Sequence, residues 1–406
     1  MKILVLSHRI PFPADKGEKI RTFHQVQFLA SRGHDVVVLS PYEDDGEQNF
    51  ARDLAKHLTV KVLMFPLMAK WLRLIRGLAK KLPLSVACFY NHRLQTAFDK
   101  LVGSGECDVV ICTSSAMAAY VFRNPKLADR SGSPKVRLIM DFMDLDSDKW
   151  RQYQKASSFL MSLVYGREAK LISRWEKHSY ERFDDCFFIS GCEVELFARQ
   201  LPESRHLKIM GNGIDTDIFF PRRLEERPHW PVFLFTGVMN YKPNEEAVLW
   251  FVNSIWDRIK GQWPDAEFFV AGMDPGVRIQ GLGRKPGITV TGFVQDIVPY
   301  YHNASVFIAP LRIARGVQNK ILQALACGLP VITTRLGAEG IKARHREDIL
   351  VADSDDDFFD AIKQVLEDKV LYERLAQNGP LLIHRDYNWG SMLEELNRAV
   401  EIRDRE

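Results

Sequence analysis

The amino-acid sequence predicts an α/β fold of two domains, each built on a parallel sheet with helices on both of its faces. First, short aliphatic and aromatic runs recur along the chain, and they are nearly continuous, as strands covered on both faces should be. Second, stretches with helical periodicity separate these runs, and strands that alternate with helices form parallel sheets through right-handed crossovers. Third, the chain has 406 residues, a length that suits two domains of about 100–200 residues each.

The predicted strands are spread evenly over both halves of the chain. Those of the first half are KILVL (2–6), DVVVL (35–39), VKVLM (60–64), DVVIC (108–112), VRLIM (136–140) and DCFFI (185–189). Those of the second half are PVFLFT (231–236), AEFFVAG (266–272), GITVTG (287–292), SVFIAP (305–310) and LPVITT (329–334). Between the first two strands the apolar spacing predicts a helix that ends at Gly33, with one face formed by Ile20, Phe23, Val26 and Ala30.

The domain boundary is predicted at residues 212–230, which are turn-rich, charged and contain two prolines. This segment would be the linker between an N-terminal domain, 1–211, and a C-terminal domain, 231–385. Residues 386–406 are expected to form a helix that packs back on the N-terminal domain. Two Rossmann-like domains that face each other leave a cleft, and ligands bind such sheets at the carboxyl ends of the strands.

Composition excludes several classes of protein. Hydrophobic residues make up 46% and charged residues 26%, which is ordinary for a globular chain. A net charge of +3 is too small for this length to indicate nucleic-acid binding. The six cysteines form no Cys-x-x-Cys pair, so neither a zinc site nor a disulfide framework is indicated, and we expect a cytoplasmic protein.

One strand-to-helix junction, ARGVQNKILQALACGLPVITT (314–334), has the features of an anion site. The first turn of a helix leaves N–H groups without intrahelical partners and carries partial positive charge, and a glycine lets an anion approach the backbone closely. The residues expected at a bound phosphate are Gly316, Val317, Asn319 and Lys320, with Arg315 just before them. The alternative interpretation of this stretch alone is a plain helix start.

Two further junctions strengthen the phosphate hypothesis. TGVMNYKPNEEAVLWF (236–251) leaves a strand at Gly237, and Lys242 stands at the start of the following helix. Taken alone, Lys242 would be a solvated surface group. In the first domain, SHRIPFPADKGEKIRTF (7–23) brings Gly17 to the end of the first strand. This loop lacks the Gly-x-Gly-x-x-Gly spacing, which counts against a nicotinamide or flavin enzyme.

These motifs, in their order along nearly the whole chain, resemble a known family. The series PFPADKGEKIR, GHDVVVLSP, GNGIDTDIFFP, FTGVMNYKPN, AGMDPG, TGFVQDIVPYYHNASVFIAP and GVQNKILQALACGLPVITT resembles glycosyltransferases of the GT-B fold in the large retaining family 4. DFMDLDSDKW (141–150), MNYKPN and RGVQNK resemble the sugar transferases associated with PEP-CTERM/exosortase exopolysaccharide systems. The resemblance implies an acceptor-binding N-terminal domain and a nucleotide-sugar-binding C-terminal domain.

The resemblance also implies roles for particular residues. Lys242 and the residues of the three junctions would contact the donor phosphates, Gln323 would contact the ribose, and Phe293 and Val294 would flank the base. Neither a metal nor another cofactor is expected, because helix ends and Lys242 can stabilise the diphosphate charge instead.

The sequence departs from this family's pattern at two positions. The family carries two glutamates eight residues apart, and their places are taken by Arg315 and Gln323. A glutamine keeps an acceptor oxygen without the charge, so a charge-assisted hydrogen bond becomes a neutral one of about half the strength. An arginine cannot accept a hydrogen bond at all. The identity of the donor sugar, and activity itself, therefore stay open.

The segment 141–150 offers carboxylates at a strand end. For Asp146 and Asp148 we favour helix capping over metal binding. Asp144 is expected to face the cleft as a catalytic group that binds a hydroxyl or orients the acceptor.

A basic amphipathic helix is predicted within LMAKWLRLIRGLAKKLPLSV (67–86). Its apolar face consists of Trp71, Leu74, Ile75, Leu78 and Leu82, and lysines and arginines surround it. Such a helix suits an anionic membrane surface. The alternative is a core-packed helix with a solvated basic side.

The sequence thus predicts a retaining glycosyltransferase that moves a sugar from a nucleoside diphosphate sugar to a hydroxyl of a glycan or lipid-linked acceptor. We expect no nucleic-acid partner, and a peripheral position at the inner face of the cytoplasmic membrane. Two alternatives stay open, a sugar-nucleotide epimerase of similar fold and a non-catalytic nucleotide-sugar-binding subunit.

Overall fold

The computed structural model describes residues 1–14, 17–105, 107–128, 136–201, 206–228, 231–313 and 316–402. The chain divides into two compact units, unit 1 (Met1–Asn212 and Leu393–Glu406) and unit 2 (Gly213–Met392). Residues 213–228 of the predicted linker therefore belong to unit 2, and the end of the last helix belongs to unit 1.

Unit 1 is built on a parallel sheet, as the continuous apolar runs predict. Its described strands are β1 Lys2–Ser7, β2 Asp35–Tyr42, β3 Lys61–Pro66, β4 Val109–Thr113, β5 Arg137–Met143, β6 Asp185–Phe188 and β7 Leu207–Ile209. Their order in the sheet is β3-β2-β1-β4-β5-β6-β7, and every pair is parallel. The order reverses between β1 and β4, and this switch point is where ligands bind in doubly wound sheets.

The helices of unit 1 cover both faces of this sheet. They are α1 Gly17–Ser31, α2 Glu47–Leu58, α3 Lys70–Ala79, α4 Leu84–Phe89, α5 His92–Gly103, α6 Ala118–Arg123, α7 Pro125–Ala128, α8 Asp146–Ala156, α9 Phe159–Arg182 and α10 Gly191–Ala198. A 3₁₀ turn spans Ser115–Met117. The core is formed by strand residues such as Leu4, Val110 and Met140 packed against helix residues such as Phe98.

Unit 2 repeats this construction. Its described strands are β8 Val232–Thr236, β9 Glu267–Ala271, β10 Ile288–Gly292, β11 Val306–Ala309, β12 Val331–Thr333 and β13 Leu350–Val351. Their order is β10-β9-β8-β11-β12-β13, again with every pair parallel. The switch point lies between β8 and β11. The predicted fold class of two doubly wound parallel-sheet units is confirmed.

The helices of unit 2 follow its strands along the chain. They are α11 Lys242–Phe251, α12 Asp257–Gln262, α13 Val277–Leu282, α14 Val298–His302, α15 Asn319–Ala326, α16 Asp355–Glu367 and α17 Lys369–Asp386, with a 3₁₀ turn at Leu224–Glu226 and a π-helical turn at Val252–Trp256. The last helix, α18 Trp389–Glu401, begins in unit 2 and ends in unit 1. Among the described residues, no helix has both the length and the apolarity needed to cross a bilayer.

The structure corrects the predicted face of α1. Val26 is buried as expected, but Ile20, Phe23 and Ala30 are only half-buried. Polar residues instead occupy the most deeply buried side of the helix, including Arg21, Thr22 and Gln25. The reason is a hydrogen-bond network with a carboxylate on β5, described below.

The structure also corrects one interpretation of α3. A core-packed apolar face is wrong, because Trp71, Ile75 and Leu78 are exposed. The buried residues of the helix are Arg73 and Gly77. The apolar face of α3 therefore faces outward.

Candidate active site

In unit 2 the loops after β8 and β9 run side by side at the carboxyl edge of the sheet. The amide of Gly237 donates to the carbonyl of Ala271 at 3.1 Å, and the amide of Gly272 donates to the carbonyl of Gly292 at 3.2 Å. Gly272 has φ +145°, and a Cβ placed on it would lie 1.8 Å from the carbonyl oxygen of Gly237. Only glycine fits here, and the edge of the sheet presents bare backbone next to the switch point.

Lys320, in the first turn of α15, is a half-buried cation at this edge. Its Nζ donates to Oδ1 of Asn244 on α11 and lies 4.5 Å from the ring centroid of Phe235 on β8. Burial lowers the pKa of Lys320 to about 7. Asn244 is held in turn, because its Nδ2 donates to the carbonyl of Val238 at 2.9 Å. Lys320 is thus held against β8 and α11, next to the loop after β8.

The other predicted phosphate-binding residues of this junction lie next to Lys320. Gly316 has φ +65°, and the space where its Cβ would stand is open. Gly316 and Val317 are half-buried, and Asn319 is exposed at the start of α15. This backbone is accessible to a ligand, as a helix-start anion site requires. Arg315 lies outside the described residues.

Lys242 occupies a different environment from Lys320. It is the first residue of α11, its side chain is 75% exposed, and its Nζ lies 3.5 Å from Oε1 of Glu246 one turn later. The structure places Lys242 at the same edge of the sheet as Lys320 but without a buried contact that fixes its side chain among those described.

The side chain of Gln323 forms a hydrogen bond inside unit 2. Its Oε1 accepts a hydrogen bond from the hydroxyl of Tyr301 at 3.0 Å, and this hydroxyl lies 2.7 Å from Oγ1 of Thr236 at the end of β8. A carbonyl oxygen has two lone pairs, so Gln323 keeps capacity for a second donor. Phe293 is 71% exposed just after β10, and Val294 beside it is half-buried.

In unit 1 unusual backbone occurs at the end of β4, at the switch point, and at the end of the neighbouring strand β5. Ser114, after β4, has φ +96°, and Met143, at the end of β5, has φ +62°. Non-glycine residues with positive φ cost free energy and cluster at functional sites. Gly17 begins α1 in the same region, after β1, with open space around the position of a Cβ.

His8 follows β1 at this switch point. Its Nδ1 lies 3.1 Å from the carbonyl oxygen of Thr113. A carbonyl only accepts, so Nδ1 carries the proton and Nε2 is an acceptor. Burial lowers the pKa of His8, which keeps the ring neutral at neutral pH.

Asp144 is exposed directly after Met143, as expected for a residue at the carboxyl edge. The favoured capping role of Asp146 and Asp148 is wrong: the N-cap of α8 is Leu145, and Asp146 is in the first turn, where Oδ2 accepts from the Ser115 hydroxyl at 3.1 Å. Glutamates from other helices satisfy this helix start instead.

The sequence analysis missed those two glutamates, of which Glu176 is buried and Glu193 is half-buried. Oε1 of Glu176 on α9 accepts from the amide of Ser147, and Oε1 of Glu193 on α10 accepts from the amide of Leu145, both at 3.0 Å. Burial raises the pKa of Glu176 to about 8 and that of Glu193 to about 7. Within the described residues, no group of His, Cys, Asp and Glu side chains is arranged to hold a metal ion. The expectation that the site uses none stays a prediction.

A second missed feature lies under the same strand end. Arg21 on α1 donates to both carboxylate oxygens of Asp141, and Gln25 donates to the same carboxylate at 2.5 Å. Arg21 also donates to the carbonyl of Gly211 and to Oδ1 of Asn212, each at 3.2 Å. This network ties α1, and with it Gly17, to the ends of the sheet.

Unit 1 also contains a large cavity of about 680 Å³. His8 and Arg9 line it from the end of β1, Lys70 and Leu74 from α3, and Lys149 and Trp150 from α8. Glu43, Glu47 and Glu168 line it as well. The lining therefore combines aromatic and aliphatic side chains with charges of both signs.

Comparison with known proteins agrees with this arrangement. Residues 230–368 match the family model of glycosyl transferases group 1. Over 368 residues the chain is 21% identical to an uncharacterized 44.6 kDa protein in the cps region of Klebsiella pneumoniae, covering 87% of this chain and 88% of that protein. These findings support a glycosyltransferase.

Solved structures share the fold over the whole chain. Sucrose-phosphate synthase from Thermosynechococcus elongatus is 17% identical, with a TM-score of 0.65 and 98% of each chain covered. Alr3699/HepE from Anabaena, in complex with UDP, is 14% identical, with a TM-score of 0.65, covering 98% of this chain and 99% of that one. At these identities the likeness establishes the fold, which is that of GT-B glycosyltransferases.

Proposed function

We propose that this chain is a retaining glycosyltransferase of family 4 that takes a sugar from a nucleoside diphosphate sugar. The acceptor is a hydroxyl of a glycan or lipid-linked glycan in exopolysaccharide or other cell-surface polysaccharide synthesis. The group 1 glycosyl transferase match over residues 230–368 supports the reaction class. The relative in a Klebsiella cps region supports the polysaccharide role, and the Anabaena structure bound to UDP supports a nucleotide donor.

The observation that carries the proposal is the position of Lys320 at the switch point of unit 2. A half-buried lysine beside a bare glycine backbone and a helix start is a site for a diphosphate. In this proposal Gly316, Val317 and Asn319 offer backbone to the phosphates, and Lys320 supplies the positive charge. Lys242 reaches the leaving diphosphate from solvent, Gln323 contacts the ribose, and Phe293 and Val294 flank the base.

Catalysis would consist mostly of stabilising the leaving group. The bond between the anomeric carbon and the diphosphate oxygen breaks, the acceptor oxygen bonds to the same face of that carbon, and the hydroxyl proton passes to the departing diphosphate. This route needs no protein nucleophile. Asp144, exposed after β5 of unit 1, would orient the acceptor hydroxyl, and Gly17 would approach the donor phosphates.

A position on the inner face of the cytoplasmic membrane forms part of the proposal. The outward apolar face of α3, flanked by lysines and arginines, supports it. A peripheral enzyme at an anionic bilayer would meet lipid-linked acceptors directly.

A thermal-shift screen across UDP-, GDP-, ADP- and dTDP-sugars tests donor binding. A ligand at about a hundred times its Kd stabilises the folded state by about 2.7 kcal/mol, which is easily detected. The Lys320→Met variant should lose the shift, and an unshifted wild-type protein with every donor would contradict the proposal.

Radiolabelled donors then separate the three activities. Transfer of label to a lipid extract supports the transferase, and isomerised free donor supports an epimerase. Binding without either product supports a non-catalytic subunit, which the loss of both family glutamates favours among the alternatives.

A further inference from the structure

Unit 1 exposes a second apolar element besides α3. The last turn of α8, the residues that follow it and the first turns of α9 expose large apolar side chains, namely Tyr153, Phe159, Leu160, Met161, Leu163 and Val164. Phe159 is 79% exposed and Leu160 is 75% exposed. We call residues 153–164 the apolar tip. On α3, Trp71 is 61% exposed, and it forms the α3 face together with Met68, Leu72, Ile75 and Leu78.

The outward direction of the α3 face is built into the fold. On the inner side of α3, the buried guanidinium of Arg73 donates to the carbonyl of Cys88 and forms an ion pair with Glu43. A Cβ on Gly77 would lie 2.6 Å from Cβ of Ala87 on α4. Rotating the helix to bury Trp71 would therefore expel an arginine from its partners and force larger side chains into a glycine contact.

The α9 helix behind the apolar tip is also fixed. The carboxylate of Glu168 accepts from the amides of Leu84 and Ser85, at 2.8 and 2.9 Å, and from the Ser85 hydroxyl at 2.8 Å. Arg167 donates to the carbonyl of Leu82 at 3.2 Å. Both apolar elements are thus held to the same short segment, 82–88, that follows α3.

The sequence stretch that forms each element carries charge of one sign. Residues 67–86 contain five lysines and arginines and no acidic residue, and residues 149–167 contain four and no acidic residue. Exposed apolar side chains within acid-free basic stretches match a surface that is anionic outside and apolar beneath, which is an anionic lipid bilayer. One anionic bilayer accounts for both properties over both stretches.

The cavity of unit 1 lies between the two elements. Lys70 and Leu74 line it from α3, Lys149 and Trp150 from α8, and Val164 and Tyr165 from α9. The α3 and α8 walls each contribute a lysine beside apolar side chains, and the α9 wall contributes Glu168 beside its apolar side chains. Val164 belongs both to the cavity and to the apolar tip. This pairing of cations and apolar surface fits a phosphate joined to a hydrocarbon chain.

We propose that the α3 face and the apolar tip lie together in an anionic membrane and that the cavity between them binds the lipid-phosphate end of the acceptor. This inference rests on the proposed function, since it names the acceptor class for that reaction. The hydrocarbon chain would run from the bilayer between the two elements, and Lys70 and Lys149 would hold the phosphate.

Membrane binding is tested by co-sedimentation with vesicles of phosphatidylcholine and phosphatidylglycerol in equal amounts, and with phosphatidylcholine alone. The intact protein should bind the anionic vesicles more tightly. The double variants L160E/L163E and W71E/I75E should each weaken this binding by about tenfold or more. The matched control is V370E/L381E, which places the same charges at exposed apolar positions of unit 2. An unchanged Tm of each variant shows that it folds.

Two results would overturn the membrane part. In the first, the apolar-tip variant and the α3 variant both bind the anionic vesicles as tightly as the intact protein does. The other is self-association in analytical ultracentrifugation that these variants abolish, which would assign the apolar surface to a second copy of the chain.

Lipid-phosphate binding is tested by calorimetric titration with farnesyl phosphate, farnesol and inorganic phosphate. Farnesyl phosphate should bind at least about tenfold more tightly than either fragment. Leu74→Trp fills the cavity and should abolish this preference, whereas Leu381→Trp, the same substitution at an exposed position of unit 2, should keep it. Equal affinity in the two variants would overturn the assignment.

These measurements need no sugar donor. If donors bind and turn over while vesicles and farnesyl phosphate do not bind, the membrane inference alone fails. If vesicles bind while no sugar nucleotide stabilises the protein, the proposed transferase function fails instead.

Discussion

The guanidinium of Arg21 donates two hydrogen bonds to the carboxylate of Asp141, at 2.7 and 2.9 Å, and both side chains are almost wholly buried. The two residues are 120 positions apart in the sequence. Their pairing joins α1 to the end of β5. This one contact therefore fixes the position of Gly17, at the start of α1, relative to Asp144, which follows β5. The polar side of α1 is buried for this reason.

Arg21→Met should lower the free energy of unfolding of unit 1 by about 3–5 kcal/mol, because it leaves a buried carboxylate without its cation. Urea unfolding followed by tryptophan fluorescence measures the change. Arg398→Met is the control, since Arg398 pairs with Glu395 on the exposed side of α18 and such pairs contribute about 1 kcal/mol or less. Equal losses in the two variants would show that the buried pair adds nothing beyond a surface one.

Some of the molecule could be predicted from local pattern and some could not. Parallel strands covered on both faces produce continuous apolar runs, so the sheets can be predicted. A helix that starts shortly after Gly316 can be predicted too, although the structure begins α15 at Asn319, two residues later than the first turn at Val317 that the sequence suggests. The roles of Arg21 and Glu176 could not be predicted. A charged residue is buried only where a partner compensates it, and the partners of these two residues are distant in sequence. Local pattern likewise predicts that α8 is capped by its own aspartates, because the glutamates that contact its first amides are on other helices.

The direction of α3 was also beyond local pattern. Its periodicity shows an apolar face around Trp71 and Ile75, but periodicity alone does not say whether that face meets the core or the outside. The inward contacts of Arg73 and Gly77 decide it. For Lys320, local pattern predicts the position at a helix start. Its contacts with Asn244 and Phe235, which lie on other elements, could not be predicted in this way.

Gly272→Ala should destabilise unit 2 by about 2–4 kcal/mol, because the new Cβ meets the carbonyl oxygen of Gly237 and the backbone has positive φ. Gly276→Ala is the matched control, with ordinary φ and open space around its Cβ, and should change stability by about 0.5 kcal/mol or less. Thermal unfolding measures both. A Gly272→Ala protein that matches the control would mean that the two loops separate without cost.

Lys242→Ala should lower turnover by at least about tenfold if the exposed lysine closes on the leaving diphosphate, a loss of about 1.4 kcal/mol of transition-state stabilisation. Initial rates with radiolabelled donor at saturation measure the effect. Lys369→Ala removes an equally exposed lysine at the start of another helix of unit 2 and should leave the rate unchanged. An unchanged rate in Lys242→Ala as well would remove this residue from catalysis.

Glu176→Gln should change how stability depends on pH. Burial raises the pKa of Glu176 from 4.5 to about 8, so between these values the folded state binds more protons than the unfolded state. Stability should therefore fall as pH rises from about 5 to about 8, and the glutamine variant should show a smaller fall. Scanning fluorimetry across this range measures the slope of Tm, with Glu181→Gln, at an exposed position of the same helix, as control. Parallel slopes for all three proteins would contradict the buried-acid assignment.

Donor binding should be coupled to proton uptake through Lys320. Burial lowers the pKa of this lysine to about 7, so at about pH 8 the free protein carries it mostly neutral. A diphosphate beside it favours the charged form and raises its pKa, so binding should take up as much as about one proton and weaken as pH rises above about 7.

Titration calorimetry of a nucleoside diphosphate in two buffers of different ionisation enthalpy measures the uptake. Lys242→Met leaves Lys320 and its contacts intact and should keep the proton uptake on binding, whereas Lys320→Met should lose it. Identical enthalpies in both buffers for the intact protein would mean that Lys320 does not meet the phosphates.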